Sequence, residues 1–411
     1  MKYDIYTINE ESLSVDIIAN KVNSSRNKNI TKKGLRLFSD QKIFSSSFVG
    51  NITDEELVNN GIKSKTVGIP YSFDLPNFKN LKVIDEVSLN QSLSSLYDEI
   101  DFSSKQLMEY TNEFVFNGKF NRSIFHITIK NELGQTLEKK YATNDWHYLF
   151  KQVGSPNLLD GYFGAAGRDL GLSDALTKNL PFIMSYKKNA KITEGRYPIL
   201  FIDDHDLFRK LSQSLRADKY FDGSALYSGK LGEKIFTDKF SLYDLNDSAK
   251  HSLLRCFDDE GVVRSERSLP LIENGVFKNV ISDLRNAKKY KINSTGNGVR
   301  SFDASVSLGF NSLVMSKGSR STSEILSSLK KCILVFMGHG GDFTDKGDYS
   351  TPLQLSFLME NGEIVGRLPQ LTVKTSVNEM FNNRLIEIAN DGFQESMLSP
   401  SLFSEMDVYL N

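Results

Sequence analysis

The densest run of metal-ligand side-chain types in this sequence is Asp203-Asp204-His205-Asp206, and His251 could add a second imidazole. Carboxylates and imidazoles bind zinc and also act as general acids and bases, so this run could support metal-assisted or acid–base hydrolysis. It lies at a predicted strand-to-helix junction, however, where adjacent side chains point in divergent directions. Helix N-capping and the helix dipole already explain Asp204 or Asp206. We therefore expect capping here rather than a metal site.

A second acidic group, Asp258-Asp259-Glu260, closes on Gly261. Carboxylate oxygens are the ligands that Ca²⁺ prefers, so this group could hold a cation. Acidic residues that precede a glycine more often cap a loop or face solvent. We expect one of those two roles rather than an ion.

The two cysteines, Cys256 and Cys332, are too few for a disulfide framework and suit a reducing compartment. Cys332 begins the run Cys-Ile-Leu-Val-Phe, which predicts a buried apolar residue rather than a nucleophile. No signal peptide precedes the first strand-like run, and no apolar stretch approaches about 18 residues. We expect a cytoplasmic protein that is not bound to membranes.

Overall composition indicates a folded soluble protein, with 39% apolar residues, 25% charged residues and a net charge of −1. Such a charge gives no overall attraction to nucleic acid or to anionic lipid. A chain of 411 residues exceeds the length of about 250–300 residues at which single cores stop growing. We therefore expect two domains, 1–190 and 191–411.

Strand patterns open the chain and are separated by polar turns, as in a meander. Thr53 and Glu56 form a capping-box pattern for a helix over Asp54–Asn60. Asn117-Gly118 predicts a hairpin turn, and Ser173-Asp174 predicts the start of a helix that ends at Asn179. The predicted strands of this half are Tyr3–Ile8, Leu13–Ile18, Gly34–Phe38, Lys42–Phe48, Phe114–Phe116, Phe120–Ile129 and Gln135–Tyr141.

The second half is rich in strand signals. Arg196–Asp203 predicts a compact apolar strand, followed by an amphipathic helix over Asp204–Leu215. Asn274-Gly275 and Asn361-Gly362 predict two hairpin turns, and Asp283 can cap a helix that runs to Lys289. The helix over Asp204–Leu215 buries Leu207, Phe208, Leu211 and Leu215. The whole pattern predicts an α+β fold with a β-rich second domain.

The ordered combination of the acidic group, the Asn274-Gly275 turn, the Asp283 cap and Thr295-Gly-Asn-Gly298 resembles the TldD/PmbA family, also called modulators of DNA gyrase. The run Gly34-Leu-Arg-Leu-Phe-Ser-Asp-Gln-Lys-Ile-Phe-Ser-Ser-Ser47 continues the resemblance. It is clear over residues 196–411 and looser over residues 1–190. It implies a two-domain α+β fold of the TldD/PmbA type.

In the metallopeptidase branch of this family, the helix after the first strand of the second half carries His-Glu-x-x-x-His. Its two histidines bind zinc, and its glutamate acts on the metal-bound water. The flanking segments Leu215–Asp218 and Ser228–Lys234 resemble those that follow this motif, and they place Arg209, Lys210 and Ser214 at the His, Glu and His positions. Two cations and a hydroxyl cannot form that zinc site. The branch's C-terminal cysteine ligand is also absent, since no cysteine follows Cys332.

The chain resembles instead the metal-free branch, called TldE or PmbA. Met337–Gly340 and Lys346–Ser350 resemble its Gly-His-Gly and Thr-Gly-Asp-Phe-Ser segments, and Ser399–Leu402 resembles its C-terminal end. The resemblance implies a subunit that binds no zinc itself and meets a zinc-containing TldD-type partner. Its candidate substrate- or partner-facing residues are His339, Asp348, Tyr349 and Ser350.

The leading hypothesis is therefore a non-catalytic TldE/PmbA-like subunit of a peptidase complex that processes flexible peptides. The alternative is a stand-alone binding or scaffold protein that forms a homodimer and has no peptidase activity. A third is a self-contained hydrolase that uses Asp203–Asp206 with His251. We expect no contact with nucleic acid in any of them.

Overall fold

The computed structural model describes residues 2–64, 68–71, 75–76, 80–168, 172–202, 205–246, 253–338, 340–394, 397 and 399–411, with all their side chains except those of residues 93, 95, 172–174, 205 and 206. The protein has the predicted mixed α+β architecture, and two large sheets dominate it. In the part of the chain described, no helix combines the length and apolar character needed to cross a membrane.

The N-terminal sheet is built from long strands that alternate buried and exposed side chains. Its strands are β1 (Lys2–Ile18), β2 (Lys21–Ser39), β3 (Lys42–Val49), β4 (Ile69–Pro70), β5 (Leu81–Ile84), β6 (Phe114–Asn131), β7 (Thr136–Gln152) and β8 (Gly161–Gly167). Their order across the sheet is β4-β3-β2-β1-β6-β7-β5, and β8 also pairs with β7. Positive φ angles at Ala19-Asn20 and Asp40-Gln41 close the first two hairpins, as primed turns require.

The first strand differs from the prediction of two short strands, Tyr3–Ile8 and Leu13–Ile18. The structure has β1 alone, because the polar residues between them pair on both edges. Asn9, for example, lies opposite Thr31 of β2 and His126 of β6. Backbone pairing on both sides keeps this polar stretch extended. The other two predicted meander strands are confirmed within β2 and β3.

The predicted hairpin at Asn117-Gly118 is wrong, because β6 passes through both residues without turning. Gly118 lies opposite Ile17 on one side and Tyr148 on the other. A Cβ atom at Gly118 would lie 2.7 Å from the Tyr148 ring. The glycine therefore makes room for an aromatic ring and does not serve a turn.

Helices of the N-terminal half are α1 (Asp54–Lys63), α2 (Glu86–Leu89), α3 (Leu93–Met108) and α4 (Leu172–Ser185). The capping box of α1 is confirmed: Thr53 Oγ1 accepts a hydrogen bond from Glu56 N at 3.1 Å, and Glu56 Oε2 accepts one from Thr53 N at 3.0 Å. α4 continues past the predicted end at Asn179 and past Pro181. The burial of Phe182 and Ile183 stabilises this extra turn and a half more than the proline disfavours it.

The second half begins with β9 (Gly195–Phe201), where Arg196–Asp203 was predicted. Its other strands are β10 (Leu242–Leu245), β11 (Ser268–Glu273), β12 (Val276–Phe277), β13 (Gly298–Val299), β14 (Ser307–Leu308), β15 (Leu313–Met315), β16 (Cys332–Gly338), β17 (Asp342–Phe343), β18 (Asp348–Glu360), β19 (Glu363–Arg367), β20 (Leu371–Ser376), β21 (Leu385–Ile388) and β22 (Leu402–Leu410). Its helices are α5 (His205–Ser214), α6 (Ala217–Phe221), α7 (Leu284–Tyr290), α8 (Thr322–Ser328) and α9 (Val377–Met380).

A ring of five strands forms the centre of this half. The strand order is β16-β9-β22-β20-β18-β17, and an additional pairing of β16 with β18 closes the ring. The predicted buried face of α5 is confirmed, since its apolar residues are at most 7% exposed and belong to the same hydrophobic cluster as the ring residues. These buried residues are Leu207, Phe208 and Leu211 of α5 and Leu215, which follows the helix.

Both predicted Asn-Gly turns of this half are confirmed. Asn274 and Gly275 have φ angles of 48° and 75° and join β11 to β12. Asn361 and Gly362 have φ angles of 50° and 86° and join β18 to β19. Asp283 caps α7, because its Oδ1 accepts a hydrogen bond from Asn286 N at 2.7 Å.

One hydrophobic cluster contains residues from both halves of the chain. Leu13 and Phe116 of the N-terminal sheet share it with Leu334 and Phe403 of the second sheet. The two halves therefore bury apolar side chains in common. Their division near residue 190 into two domains stays a prediction.

Candidate functional site

The helix α5 carries the three residues at the predicted zinc-motif positions. Its buried face holds it against the strand ring, so its remaining face determines what a ligand could meet. Arg209 is exposed on that face, Lys210 is half-buried and Ser214 is buried. All three lie on one helix, but their side chains contact different parts of the structure.

Arg209 and Lys210 reach the segment 340–348, which leads into the start of β18. Arg209 Nη2 donates to Gly341 O at 2.8 Å and to Asp342 Oδ1 at 3.1 Å. Lys210 Nζ lies 3.5 Å from Asp345 Oδ1. The Asp342 and Asp345 side chains are largely exposed, and such surface ion pairs contribute about 0–1 kcal/mol each. The two cations therefore connect α5 to this segment through carboxylates that stay exposed.

Ser214 has a structural role that its residue type does not reveal. Its side chain is 1% exposed. Its hydroxyl donates to Lys210 O at 3.1 Å and accepts from Leu226 N at 3.2 Å. The hydroxyl thus joins the end of α5 to the segment after α6.

The residues at these positions do not fit a zinc ion. A ligand must offer a lone pair to the metal, and neither a guanidinium nor an ammonium group has one to offer. Their positive charges would also repel Zn²⁺. Within the described ranges, no group of three or more His, Cys, Asp or Glu side chains is arranged to hold a metal ion.

The candidate residues Asp348 and Ser350 lie in the first residues of β18. Asp348 also forms hydrogen bonds with the turn that precedes the strand. Thr344 Oγ1 donates to Asp348 Oδ2 and accepts from Asp348 N, both at 3.1 Å. Ser350 lies opposite Asp342 in the β17–β18 pair. Asp348 therefore stabilises the turn, and Ser350 continues the strand beside the residue that Arg209 contacts. Any contact of the two with a substrate or partner stays a prediction.

Tyr349 is placed differently from an outward-facing residue. It is 2% exposed, and its ring packs on Phe343 with 4.5 Å between ring centroids. Its side chain therefore belongs to the core, whereas we expected a candidate for substrate or partner contact. The strand period explains the difference, since neighbouring β18 residues face opposite sides of the sheet.

Several predicted residues fall outside what the structure describes. These are His339, Asp203, Asp204 and His251, together with the side chains of His205 and Asp206. The hypotheses that use them stay predictions.

The acidic group Asp258-Asp259-Glu260 is buried, so its predicted alternative of facing solvent is wrong. Asp258 Oδ1 accepts from Glu260 N at 3.0 Å and from Val262 N at 2.8 Å, and its Oδ2 accepts from Gly298 N at 2.9 Å. The predicted loop-capping role is confirmed for this residue. Three backbone donors hold the loop around one carboxylate.

Asp259 and Glu260 contact the N-terminal sheet. Tyr6 Oη donates to Asp259 Oδ1 at 3.3 Å. Tyr71 Oη donates to Glu260 Oε1 at 2.8 Å, while Glu260 Oε2 accepts from Leu284 N at 2.8 Å. The acidic group therefore connects the two halves of the molecule through buried polar contacts.

Three more charged residues, Asp4, Arg36 and Arg300, complete this network. Arg36 forms an ion pair with Asp4, Arg300 Nη2 donates to Asp4 Oδ1 at 3.1 Å, and Arg36 Nη1 lies 3.6 Å from Glu260 Oε1. Their side chains are each 1% exposed. We call Asp4, Arg36, Asp258, Asp259, Glu260 and Arg300 the buried charge network.

Burial raises the pKa of Asp4, Asp258 and Glu260, and their neighbours decide the net direction at each carboxyl. It raises the pKa of the Asp4 carboxyl, but Arg36 and Arg300 outweigh it and leave that pKa below its usual range. Burial and then the neighbouring Glu260 raise the pKa of Asp258 to about 8. Burial also raises the pKa of Glu260, although Arg36 opposes it. Asp4 is therefore a carboxylate at neutral pH, whereas burial favours the neutral form of Asp258.

Sequence reasoning missed the partners of these residues. Asp4 and Arg300 are 296 positions apart, and no local spacing links them. The sequence offered only one indication that Asp342 belongs to the site, namely that it follows the glycines at positions 340 and 341. Cys332, by contrast, is buried as predicted, and burial raises the pKa of its thiol to about 12.

The chain matches a protein-family model described as "PmbA/TldA metallopeptidase C-terminal domain" over residues 194–409. It is 25% identical over 367 residues to the "Metalloprotease PmbA homolog" of Buchnera aphidicola subsp. Acyrthosiphon pisum. The aligned region covers 85% of this chain and 74% of the relative.

Two solved structures share the fold over nearly the whole chain. The structure of TldE from Thermococcus kodakarensis superposes with a TM-score of 0.82 at 19% identity and covers 100% of this chain and 97% of that one. A candidate modulator of a DNA gyrase from Thermotoga maritima superposes with a TM-score of 0.81 at 18% identity, with coverages of 99% and 96%. At such identities the likeness shows the fold alone.

Proposed function

Because this chain belongs to the PmbA/TldD metallopeptidase family, we propose that it is a non-catalytic subunit that assembles with a zinc-binding TldD-type chain. The partner supplies the metal and the hydrolytic chemistry. This chain supplies part of the wall that encloses a flexible peptide substrate. The assembly processes or degrades such peptides in the cytoplasm.

The chemistry of α5 supports this proposal. The resemblance aligns Arg209, Lys210 and Ser214 with the metal-binding motif, and none of the three can act there as the motif requires. Arg209 and Lys210 pair with acidic side chains of the same chain, and Ser214 joins backbone groups. Each position therefore has a structural role that is compatible with a subunit without a metal.

The surroundings of this helix support an enclosing role rather than a catalytic one. The turn that precedes β18 is stabilised through Thr344 and Asp348, and Arg209 holds α5 against it. Exposed backbone and side chains of the segment 340–348 are thereby fixed in one arrangement. A fixed surface contributes to substrate binding because it loses little entropy when a ligand or partner binds.

Cysteine chemistry supports the cytoplasmic placement. Neither Cys256 nor Cys332 is in a disulfide, and cysteines remain reduced in reducing compartments.

Reconstitution with a TldD-type chain tests the proposal. We would purify this chain alone, a family member with His-Glu-x-x-x-His from the same genome alone, and the two after co-expression, and assay cleavage of a flexible peptide by each. We expect co-purification, cleavage by the pair, and no cleavage by this chain alone. Chelator-sensitive cleavage by this chain after removal of any partner would contradict the proposal. A stable homodimer that ignores the TldD-type chain would favour the scaffold alternative instead.

Alanine variants separate assembly from catalysis. Arg209→Ala and Lys210→Ala together remove both cations but no metal ligand, so we expect the reconstituted pair to keep its zinc content. Cleavage by the pair should change less than about tenfold, since each lost ion pair has an exposed carboxylate and such pairs contribute little. The matched control is Lys234→Ala, which removes another exposed pair, with Asp238 at 2.6 Å. Complete loss of activity with intact assembly would mean that Arg209 or Lys210 is catalytic.

A further inference from the structure

The first part of β2, residues Lys21–Ile30, has a partner strand on one side only. β1 pairs with it throughout, whereas β3 pairs with β2 only from Lys32 to Ser39. In the described ranges, no strand covers the other side of Lys21–Ile30, which we call the open edge. Residues 21–27 are exposed on both faces. A strand of this length presents about 33 Å of backbone with unpaired N–H and C=O groups.

Three cations line one face of the open edge. Lys21 lies opposite Ile18, Arg26 opposite Ser14 and Lys28 opposite Ser12. Ser12, Ser14 and Ile18 lie on one face of β1, since side chains alternate along a strand. Residues directly opposite one another share a face, so the cations share it too. The irregularity near Asp16 brings Lys21 into line with the other two.

No residue that the structure describes neutralises these cations. Among the residues that the structure describes, Lys21, Arg26 and Lys28 have no salt bridge, and Lys21–Ile30 contains no acidic residue. The next lysine along the strand behaves differently, because Lys32 Nζ lies 2.8 Å from Glu10 Oε2. The open edge therefore carries three positive charges that are available to a partner.

We propose that the open edge binds an extended acidic polypeptide segment, which adds to the N-terminal sheet as one more strand. Its backbone would pair with the unpaired groups of β2. Carboxylates two residues apart on the segment would face Arg26 and Lys28. Added strands of this kind obtain affinity from main-chain hydrogen bonds and specificity from alternate side chains.

Charge excludes a second copy of the chain as the occupant. Two open edges pairing with each other would bring six cations into one strip, and like charges on neighbouring strands are destabilising. The same charges attract an acidic strand. A nucleic acid would match the charge but not the backbone groups. The open edge also has no aromatic side chain on which a base could stack.

Binding of a synthetic acidic peptide tests this inference independently of the proposed function. The probe is a fluorescent decapeptide of alternating threonine and glutamate, and the assay is fluorescence anisotropy at low and at physiological salt. We expect saturable binding that weakens with salt, and slower amide hydrogen exchange over Lys21–Ile30 in the complex. Absence of binding at low salt would overturn the inference.

Charge reversal and backbone methylation separate strand addition from simple attraction. Lys21→Glu, Arg26→Glu and Lys28→Glu together should weaken binding at least about tenfold. The matched control reverses three exposed lysines elsewhere, Lys219→Glu, Lys230→Glu and Lys288→Glu, and should bind as wild type does. A probe methylated on alternate backbone nitrogens keeps its charge but cannot pair as a strand, so it should also bind at least about tenfold more weakly. Equal binding of the methylated probe, or tighter binding of duplex DNA than of the peptide, would overturn the inference.

Discussion

Asp4 neutralises two buried guanidinium groups, and its position shows why single charges matter most inside the molecule. Its carboxylate contacts both Arg36 and Arg300, which are otherwise compensated only in part by Glu260 and Asp259. Removing one partner of a buried ion pair leaves an uncompensated charge away from water. The same removal at the surface leaves a charge that water can solvate.

Substitution of Asp4 should therefore be strongly destabilising. We expect Asp4→Asn to lower the free energy of unfolding by about 3–5 kcal/mol, as measured by urea denaturation at pH 7. The control is Asp101→Asn, which removes an exposed pair with Lys105 at 2.6 Å and should cost no more than about 0.5 kcal/mol. Equal, small effects of the two substitutions would show that the buried charge network does not stabilise the fold.

Asp258 should give folding stability a pH dependence of unusual sign. Its pKa is about 8 in the folded protein and about 3.9 in the unfolded chain. Between these values the folded state binds more protons, so the stability due to this group is complete below about pH 4 and is lost as the pH rises through about 8.

Comparison with an asparagine variant isolates this contribution. The unfolding free energy of the wild type minus that of Asp258→Asn should fall as the pH rises from 5 to 8, by up to about 1.4 kcal/mol per pH unit. Titrating groups that do not interact with Asp258 cancel in the difference, whereas its neighbour Glu260 does not, so Glu260→Gln is made in both proteins. A difference that grows with pH would mean that Asp258 is ionised throughout and is stabilised by its three backbone donors.

Residue types alone predicted part of this picture. The cap at Asp283 and the burial of Cys332 follow from neighbours a few positions away, and the structure confirms both. The role of Asp4 depends on Arg300, and that of Arg36 depends in part on Glu260. Sequence reasoning had no means to detect those pairings, since charged residues are ordinarily exposed.

Among the structural elements, the sequence best predicted those turns whose backbone requires glycine. Asn274-Gly275 needs two positive φ angles, and the structure has them. Asn117-Gly118 has the same two residue types but lies in the middle of β6. Pairing on both edges and the Tyr148 ring determine that local structure. The dipeptide indicates a turn only where no neighbouring strand pairs with it.

Glycine substitution should distinguish a turn that only needs positive φ from one that is also enclosed. At Gly134 an added Cβ meets nothing within 4 Å, whereas at Gly275 it would lie 2.1 Å from Phe236 O. Both glycines have positive φ, so each substitution by alanine should cost about 1–2 kcal/mol for the backbone. Gly275→Ala should cost about 1–3 kcal/mol more through the clash.

Thermal or urea unfolding of the two variants checks this prediction. If Gly275→Ala were no more destabilising than Gly134→Ala, the β11–β12 turn would not lie against Phe236.

Like the turns, the helices were predicted correctly only where local residues determine them. The capping box that begins α1 is confirmed. The end of α4 was missed because buried contacts of Phe182 and Ile183 extend the helix.

For the whole molecule, the α+β class followed from the sequence, but only part of the strands and helices did, and the arrangement of the sheets did not. The ring depends on β9, which pairs with β16 on one side and with β22 on the other, and both partners follow it by more than 100 residues. Local patterns specify strands but not their partners, because pairing depends on contacts far apart in the chain.

The candidate site shows the same limit. The resemblance selected Arg209, Lys210 and Ser214, and their side-chain chemistry excludes zinc binding without any coordinates. Their contacts with Asp342, Asp345 and the Leu226 backbone required the structure. In these contacts all three α5 side chains bind other groups of the same chain. Such structural roles are the central feature of the proposed subunit.

Zinc content and peptide cleavage, measured on this chain before and after mixing with a TldD-type chain, test most directly whether this chain is a non-catalytic subunit. We predict no stoichiometric zinc and no cleavage in the isolated chain, and zinc-dependent cleavage in the mixture with the metal retained by the partner. Stoichiometric zinc and chelator-sensitive cleavage in the isolated chain, unchanged by further purification, would contradict this prediction.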